Sequence, residues 1–330
     1  MKFKRGAGFA LAGIVMFAAI GAMEGCARAE AHPLIDGAFA LIYPEFSARI
    51  FKEFGNSRQN RGQSPHDKYV PLPPASSPPN INSTEIYIAS PAIAAMLKGQ
   101  AQQSGADIVS LLGDVGAFPS VNWDSAWAYT QMGLIAGYRT AALRASTRTD
   151  SMASLLFSRG SGRTVTELKA FESAFAQGAR AAGYQESEMP REGTNGNLSA
   201  DLRQNQLLTV FDVDSMGLHG DPLEQTLAAC AQMLQKNPSV IVIAAGSLGA
   251  LEKALSNSGE VLADLRGLGQ DLSKKTLFAA IEENVDGLMR STERLVRAIR
   301  EKKPIPKDAL VPPTLYLTGE ARRALKAAQQ

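Results

Sequence analysis

The stretch between residues 106 and 143 constrains the fold more than any other part of this chain. It begins with an apolar run, 108–112, which glycines bound on both sides and which is typical of a strand buried on both faces. It ends in a helical segment where Gly133 and Gly137 lie four residues apart. They therefore share one helix face and let a neighbouring backbone approach closely. A strand buried on both faces needs helices on both sides, so the stretch predicts an α/β fold.

The alternation of strands and helices occurs twice along the chain. The predicted strands are 38–43, 69–70, 85–89, 108–112, 151–157, 207–213, 240–245 and 261–265, and the predicted helices are 46–54, 92–103, 132–142, 164–182, 222–235, 250–255 and 277–302. This order predicts an α/β protein of two doubly wound lobes with parallel sheets and a ligand cleft between them. The boundaries that we expect are an export segment at 1–30, an N-terminal lobe at 31–145, a C-terminal lobe at 146–275, and a crossover helix with a C-terminal segment returning to the first lobe at 276–330.

Composition argues against several functional classes. The 34 basic and 32 acidic residues are interspersed, and no basic block adjoins aromatic residues, so we expect no nucleic-acid partner. The two cysteines lie in the export segment (Cys26) and in an apolar helical pattern (Cys230), so we expect no structural disulfide and a buried Cys230. The three histidines, His32, His66 and His219, have no partner at catalytic or metal-ligand spacing. We therefore expect a protein that is not an enzyme and holds no metal.

The first thirty residues have the pattern of an export signal. Positive charges in residues 1–5 precede an apolar run at 6–23, and Cys26 stands where a cleavage site is expected. Cleavage before Cys26 would leave its thiol for lipidation and anchor the protein to the membrane on the periplasmic side. Glu24 departs from the small residue usual two positions before such a cysteine, so ordinary cleavage after Ala29 is an alternative. The apolar run is also almost long enough to remain as an uncleaved anchor.

Polar residues follow several predicted strands, where parallel sheets present ligand-binding groups. Asp114 and Asp264 each end a strand, one per lobe, and an ionised carboxylate can accept two hydroxyl hydrogen bonds. Gly246 opens a turn into a helix, whose first N–H groups can bind a polar oxygen. Ser90 follows a further strand, and Asp212 follows Phe211 near the end of another. Turn capping is the alternative for the aspartates, and an ordinary strand-to-helix turn is the alternative for the glycine.

Aromatic residues lie close to these strand ends. Trp123 and Trp127 share a predicted polar loop with Asn122. An indole face binds a flat ring, with about 1–3 kcal/mol per stacked base in nucleic-acid complexes, and the amide of Asn122 can hydrogen-bond the edge of that ring. Tyr43 ends the first strand and would place a second ring opposite a tryptophan. We expect Trp123 to contact ligand in preference to Trp127; the alternative is that both tryptophans plug the lobe interface.

Two helical segments carry a resemblance to a known family. The order of strand, aspartate, aromatic loop and small-rich helix (MGLIAGYRTAA, 132–142), with FESAFAQGARAAG at 171–183, resembles the basic-membrane-protein family of substrate-binding lipoproteins. These are type I periplasmic binding proteins that feed nucleosides and related compounds to ABC transporters. The resemblance covers about 36–303. It implies a glycine-rich ligand loop at 246–249 and an aromatic cover, Phe211, beside Asp212.

Two departures from that family bear on the ligand. Residues 43–47 read YPEFS where nucleoside-binding members carry an acidic run, and Glu283 stands about where they hold a lysine. The retained aromatic residues favour a larger flat ring, as in the spirochaete-type riboflavin-binding branch of the family. We therefore expect a monomeric lipoprotein that needs no cofactor, binds riboflavin and delivers it to an ABC permease in the inner membrane. A purine nucleoside is the alternative ligand. A flavin- or nucleoside-handling hydrolase and a membrane co-receptor are the alternative classes.

Overall fold

The computed structural model describes most of the chain after the export segment. The described residues are 39–44, 48–60, 68–72, 77, 79–147, 151–159, 163–184, 203–204, 207–214, 225, 227, 231, 239–256, 259–268 and 276–330. Both cysteines, the three histidines and most of the helix predicted at 222–235 lie outside these ranges. Within them, no helix combines the length and the apolar character needed to cross a membrane.

The described residues form thirteen strands and seven helices. The strands are β1 (Phe39–Pro44), β2 (Lys68–Leu72), β3 (Ile86–Ala89), β4 (Asp107–Leu111), β5 (Ser120–Trp123), β6 (Ala153–Phe157), β7 (Arg203–Gln204), β8 (Leu208–Asp212), β9 (Val240–Ala244), β10 (Glu260–Asp264), β11 (Ala279–Glu282), β12 (Asp308–Val311) and β13 (Thr314–Leu317). The helices are α1 (Ala48–Asn60), α2 (Pro91–Ser104), α3 (Ser125–Thr147), α4 (Val165–Ala181), α5 (Leu248–Leu255), α6 (Val285–Arg300) and α7 (Gly319–Ala328).

The strands build two sheets, each the centre of one lobe. The first sheet has the order β12-β5-β4-β3-β1-β2 and all its pairings are parallel. The second has the order β13-β11-β10-β9-β6-β8-β7 and is parallel except for its two outermost strands, β13 and β7. The prediction of an α/β protein with two doubly wound, mostly parallel lobes is confirmed.

Each sheet is covered by helices on both faces, which explains why its strands read as unbroken apolar runs. In the first lobe, α1 and α6 pack on one face, and α2 packs on the other. In the second lobe, α3, α4 and α7 pack on one face, and α5 packs on the other. Successive residues of a strand therefore enter different cores: Leu155 faces α3 and α4, whereas Leu156 faces α5.

The chain passes between the lobes three times. It crosses first between β5 and α3, then between β11 and α6, and finally between β12 and β13. Helix α3 packs on the second sheet, although we expected the first lobe to extend to residue 145. The C-terminal segment divides: α6 and β12 return to the first lobe, whereas β13 and α7 join the second.

Two predicted elements were wrong. The loop expected to hold both tryptophans contains β5, and Trp127 lies in the first turn of α3. The helix predicted at 277–302 divides into β11 and α6. A four-residue strand is too short to show a period, and the apolar run of β11 adjoins a strongly amphipathic helix with no proline between them.

Glycines bring α3 and α4 into close contact, as their spacing predicts. A Cβ atom on Gly137 would lie far inside van der Waals contact of the Phe175 carbonyl oxygen. Gly178 of α4 stands in the same relation to the carbonyl oxygen of Leu134. The two helix backbones therefore touch directly and fix α3 on the second sheet.

Candidate functional site

The carboxyl ends of the parallel strands in the two sheets face each other. Strand β12 is parallel to β5 in the first sheet, whereas β13 is antiparallel to β11 in the second. Only Pro312 and Pro313 separate β12 from β13, so the carboxyl end of β12 lies beside the carboxyl end of β11. The opposed edges enclose the interlobe region, which is where open α/β sheets bind their ligands.

Hydrogen bonds join the three crossing segments to one another. The N–H of Asp124 donates to the carbonyl oxygen of Val311 at 2.8 Å. The side-chain amide of Asn284 donates to the carbonyl oxygen of Pro312 at 3.0 Å. The carboxylate of Asp124 also accepts from the N–H of Trp127 at 3.1 Å and so caps α3. The crossings therefore form one hinge at the side of the interlobe region.

Ser90 is the best-placed polar group of the first sheet. It stands at the carboxyl end of β3 and begins α2, yet its side chain makes no capping hydrogen bond. Its hydroxyl is buried and has no hydrogen-bond partner among the described residues. A buried hydroxyl without a partner costs free energy that a ligand can recover by bonding to it.

Asp114 occupies a turn. Its carboxylate accepts from the N–H of Gly116 at 2.6 Å, and the side chain is largely exposed. Lys307 approaches it at 3.7 Å. These contacts match turn capping, which was the alternative to the ligand role predicted for Asp114.

The aromatic candidates occupy different environments. Trp123 ends β5, and its partly buried ring packs against the first-lobe core beside α1 and α6. Trp127 is 38% exposed at the hinge end of α3. Asn122 points to the opposite face of β5 from Trp123 and donates to Ser120 Oγ at 2.9 Å. Tyr43 lies at the carboxyl end of β1, and its side chain is outside the described part of the structure.

Three buried residues, Tyr129, Arg163 and Asp264, and the nearly buried Arg266 form a tetrad at the carboxyl end of the second sheet. Asp264 is 1% exposed and accepts from the Tyr129 hydroxyl at 2.9 Å and from Arg163 Nε at 3.0 Å. Arg266 adds bonds from Nε at 3.0 Å and from Nη2 at 2.8 Å, and its backbone N–H bonds the same carboxylate. Arg266 also donates to Ser125 Oγ and thereby links the tetrad to the start of α3.

The electrostatics of the tetrad favour an ionised Asp264 and a protonated Tyr129. Burial alone would raise the pKa of Asp264, but Arg163, Arg266 and the hydrogen bonds outweigh it and hold that pKa at about 2. Burial and the Asp264 charge raise the pKa of Tyr129, so its hydroxyl remains a donor. Asp264 is thus an ionised carboxylate whose acceptor sites are filled by protein groups. Its predicted contact with ligand hydroxyls would have to displace one of these bonds.

A second charged cluster surrounds Asp212 at the end of β8. Arg159 Nη2 bonds the Asp212 carboxylate at 2.7 Å, and the backbone N–H of Arg159 bonds Asp214. The hydrogen bond that Arg159 donates to Asp212 outweighs the effect of desolvation and raises the pKa of Arg159. Phe211, predicted to cover a ligand, is instead buried in the core under α5. Alternation along β8 explains this, since Phe211 and Asp212 point to opposite faces.

Gly246 has the turn geometry expected of it. Its φ of 63° lies in the left-handed region that glycine adopts readily. Ser247 then caps α5 by accepting from the N–H of Ala250 at 3.0 Å. The turn places the start of α5 at the same sheet edge as the tetrad, with one of its first N–H groups already satisfied by Ser247.

The sequence reasoning did not identify Tyr129, Arg159, Arg163 or Arg266. The carboxylate partners of Tyr129, Arg163 and Arg159 are 135, 101 and 53 positions away in the sequence. Arg159 follows its predicted strand by two residues and Arg266 follows its predicted strand by one, and this position is a signal that could have identified them. Among the described residues, no group of three His, Cys, Asp or Glu side chains is arranged to hold a metal ion.

Comparison with known proteins supports the architecture. No protein-family model matches the sequence, and no curated protein is significantly similar to it. A solved structure titled as a transcriptional activator of the comK gene from Bacillus halodurans superposes with a TM-score of 0.53, at 13% identity, over 88% of this chain and 95% of that one. The myo-inositol binding protein of Caulobacter gives 0.50 at 14% identity, over 89% and 97% of the two chains. A solute-binding protein of an ABC transporter system from Aeropyrum pernix gives 0.50 at 9% identity, over 88% and 85%.

The chain has the periplasmic-binding-protein fold. This fold is seen in the two lobes of mostly parallel strands, in the three crossings between them and in the opposed carboxyl edges of the sheets. At such low sequence identities, the structural similarity establishes the fold alone. Membership of the basic-membrane-protein family stays a prediction. The fold nevertheless makes the interlobe region, with Ser90 on one side and the tetrad and Asp212 on the other, the candidate ligand-binding site.

Proposed function

We propose that this chain is an exported lipoprotein that binds a small solute between its lobes and delivers it to an ABC permease. The observation that carries the proposal is the opposition of two polar sheet edges across a three-segment hinge. One of the similar structures is named as a solute-binding protein of an ABC transporter system, and another as a myo-inositol binding protein. The charged n-region and apolar run at the start of the sequence favour export.

Riboflavin is the ligand that we propose, because its two parts fit the two kinds of group at the site. The flat ring would stack on an indole at the hinge, where Trp123 and Trp127 lie at the end of β5 and the start of α3. The hydroxyls of the ribityl chain would bond Ser90 and the cluster around Asp212. A purine nucleoside would use the same groups with a smaller ring and fewer hydroxyls.

Tryptophan fluorescence tests this ligand directly. Titration with riboflavin should quench the emission, since both tryptophans lie at the hinge. Trp123→Ala should weaken binding about tenfold to a hundredfold, the equivalent of about 1–3 kcal/mol for one stacked ring. Trp127→Ala, the matched control, should weaken binding less than Trp123→Ala if only one indole touches the ligand.

Different outcomes separate the alternatives. Binding of a purine nucleoside without binding of riboflavin would select the alternative ligand. Saturation by myo-inositol alone would show that no aromatic ring is needed. A chemically altered ligand recovered after long incubation would contradict a binding role and indicate an enzyme.

Labelling with a radioactive fatty acid tests the anchor. We expect the wild-type protein to incorporate the label and Cys26→Ala to lose it and become soluble. Absence of label from the wild type, with cleavage after Ala29, would mean that the exported protein carries no lipid. A ligand-binding role would then stand without the lipid anchor.

A further inference from the structure

The turn that follows β10, residues 265–268 and here called the β10 turn, contacts two of the three crossings. The N–H of Leu268 donates to the carbonyl oxygen of Leu265 at 3.0 Å and closes the turn. Gly267, the third residue of the turn, has a φ of 85°, which glycine adopts readily at this position. The two middle residues, Arg266 and Gly267, are therefore held in a defined arrangement at the carboxyl end of the second sheet.

Arg266 contacts the first crossing, which lies between β5 and α3. Its Nη1 donates to Ser125 Oγ at 2.5 Å, and Ser125 is the first residue of α3. The preceding residue, Asp124, donates its backbone N–H to the carbonyl oxygen of Val311 at the end of β12. The contact of Arg266 therefore lies one residue from the hydrogen bond that joins the first crossing to the third.

Gly267 contacts the second crossing, which lies between β11 and α6. Its backbone N–H donates to Glu283 Oε1 at 3.1 Å. The next residue, Asn284, caps α6 by accepting from the N–H of Gly287 and donates to the carbonyl oxygen of Pro312 in the third crossing. Adjacent residues of one turn thus reach the first two crossings, and each contact lies one residue from a hydrogen bond to the third.

The tetrad sets the direction of the Arg266 side chain. Nε and Nη2 bond Asp264 at 3.0 and 2.8 Å, and the side chain is only 10% exposed. A guanidinium is planar and rigid, so two bonds from one edge also fix where its third nitrogen, Nη1, points. Tyr129, whose hydroxyl bonds the same carboxylate, lies one helical turn after Ser125 on α3. Asp264 therefore holds the beginning of α3 at two successive turns.

We propose that Arg266 and Gly267 are positioning residues that fix the points where the first two crossings leave the second lobe. The proposal rests on the binding of a solute between the lobes, as proposed above. Rotation of one lobe against the other is then confined to the residues beyond those points, Asp124, Asn284 and 312–313. Without the two contacts, the free protein samples more lobe arrangements, and a smaller fraction of it is competent to bind.

Variants that remove only the contacts with the crossings test this role. Ser125→Ala removes the acceptor of Arg266 Nη1, and Glu283→Ala removes the acceptor of the Gly267 N–H. Every bond within the tetrad remains in both variants, so the buried charge of Asp264 keeps its partners. A loss of lobe positioning is thereby separated from a loss of the tetrad itself.

Pulsed electron resonance between two spin labels measures the arrangement of the lobes. Labels at Lys98→Cys in α2 and Lys253→Cys in α5, both exposed positions, mark the first and second lobes. Cys26→Ala and Cys230→Ala remove the native thiols. In the free protein, we expect each alanine variant to broaden the distribution of label distances and the double variant to broaden it most. The affinity for riboflavin should fall about threefold to tenfold, in proportion to the lost competent fraction.

Matched controls remove similar groups away from the hinge. Ser146→Ala deletes a hydroxyl at the opposite end of α3, where it bonds the carbonyl oxygen of Leu143, and Glu252→Ala deletes an exposed carboxylate of α5. Both controls should keep the wild-type distances and affinity. Ser125→Thr and Glu283→Gln retain an acceptor oxygen and should keep them as well. A purely local structural role would lower the unfolding temperature of the alanine variants without changing the distances.

The free-state distances decide the proposal independently of the ligand. Distributions as narrow in Ser125→Ala and Glu283→Ala as in the wild type would overturn it, and so would equal broadening in the two controls. Broader distances with unchanged riboflavin affinity would contradict a role in binding. If the wild type does not bind riboflavin, the proposed ligand is wrong, and the free-state distances still confirm or overturn the positioning of the crossings.

Discussion

A carboxylate that is almost fully buried loses its hydration and must recover that free energy from neighbouring charges and donors. Asp264 does so through two arginines and the Tyr129 hydroxyl. Arg163 and Arg266 are themselves nearly buried, so each depends on the same carboxylate. At the residue scale, the second sheet edge is therefore organised around one anion, and the orientation of both arginines depends on it.

Replacing Asp264 by Asn should destabilise the protein by about 3–5 kcal/mol, because two buried guanidinium groups then lack their counter-charge. The midpoint of urea unfolding, followed by circular dichroism, measures the loss. Asp107→Asn, at an exposed carboxylate that begins β4, is the control and should shift the midpoint little. Similar midpoints for the two variants would mean that the arginines find other partners.

The same carboxylate gives the stability a pH dependence. Its pKa is about 2 in the folded protein against 3.8 in the unfolded chain, so the folded state is favoured by about 2 kcal/mol whenever both forms are ionised. That contribution is complete above about pH 4 and is lost as the pH falls towards 2. Unfolding midpoints measured across this window should fall less steeply in Asp264→Asn than in the wild type. Parallel curves would assign the acid sensitivity to other carboxylates.

At the element scale, the contact between α3 and α4 depends on glycine. Gly178→Ala should force the helices apart and cost about 1–3 kcal/mol, because the new methyl group meets the backbone of Leu134. Gly99 is the matched control, since it lies within α2 and a methyl group there would meet nothing within 4 Å. Gly99→Ala should raise stability by about 0.5–1 kcal/mol, because alanine restricts the unfolded chain. Thermal unfolding distinguishes the two signs, and a neutral Gly178→Ala would mean that α4 can shift.

Also at the element scale, the features that depend only on local sequence could be predicted. The β9 run VIVIA and the close contact around Gly137 follow from residue type and spacing alone, and both are present in the structure. The ligand role predicted for Phe211 came from resemblance, and in the structure the alternation along β8 buries that ring under α5. The bonds of Tyr129 and Arg163 to Asp264 could not be foreseen, since they join residues 135 and 101 positions apart and depend on how α3 packs over the second sheet.

At the scale of the whole molecule, the hinge determines how the two ligand-binding edges meet. Pro312 and Pro313 fix φ in the shortest crossing, and the Asn284 side chain holds the carbonyl of Pro312. Replacing both prolines by glycine should widen the range of lobe orientations without touching a ligand-binding group. A smaller population of the binding-competent arrangement lowers the apparent affinity in proportion, here by about threefold to tenfold.

Solution X-ray scattering and ligand titration together test this expectation. The Pro312→Gly/Pro313→Gly variant should show a larger radius of gyration when free, and its affinity for riboflavin should fall while saturating ligand restores the compact form. Pro304→Gly/Pro306→Gly is the matched control, because these prolines lie in the exposed irregular segment before β12 and join no lobes. If the hinge variant scatters like the wild type, hydrogen bonds at the other two crossings suffice to hold the lobes. If it opens while its affinity stays unchanged, the ligand binds to one lobe, and the opposed edges do not form the site.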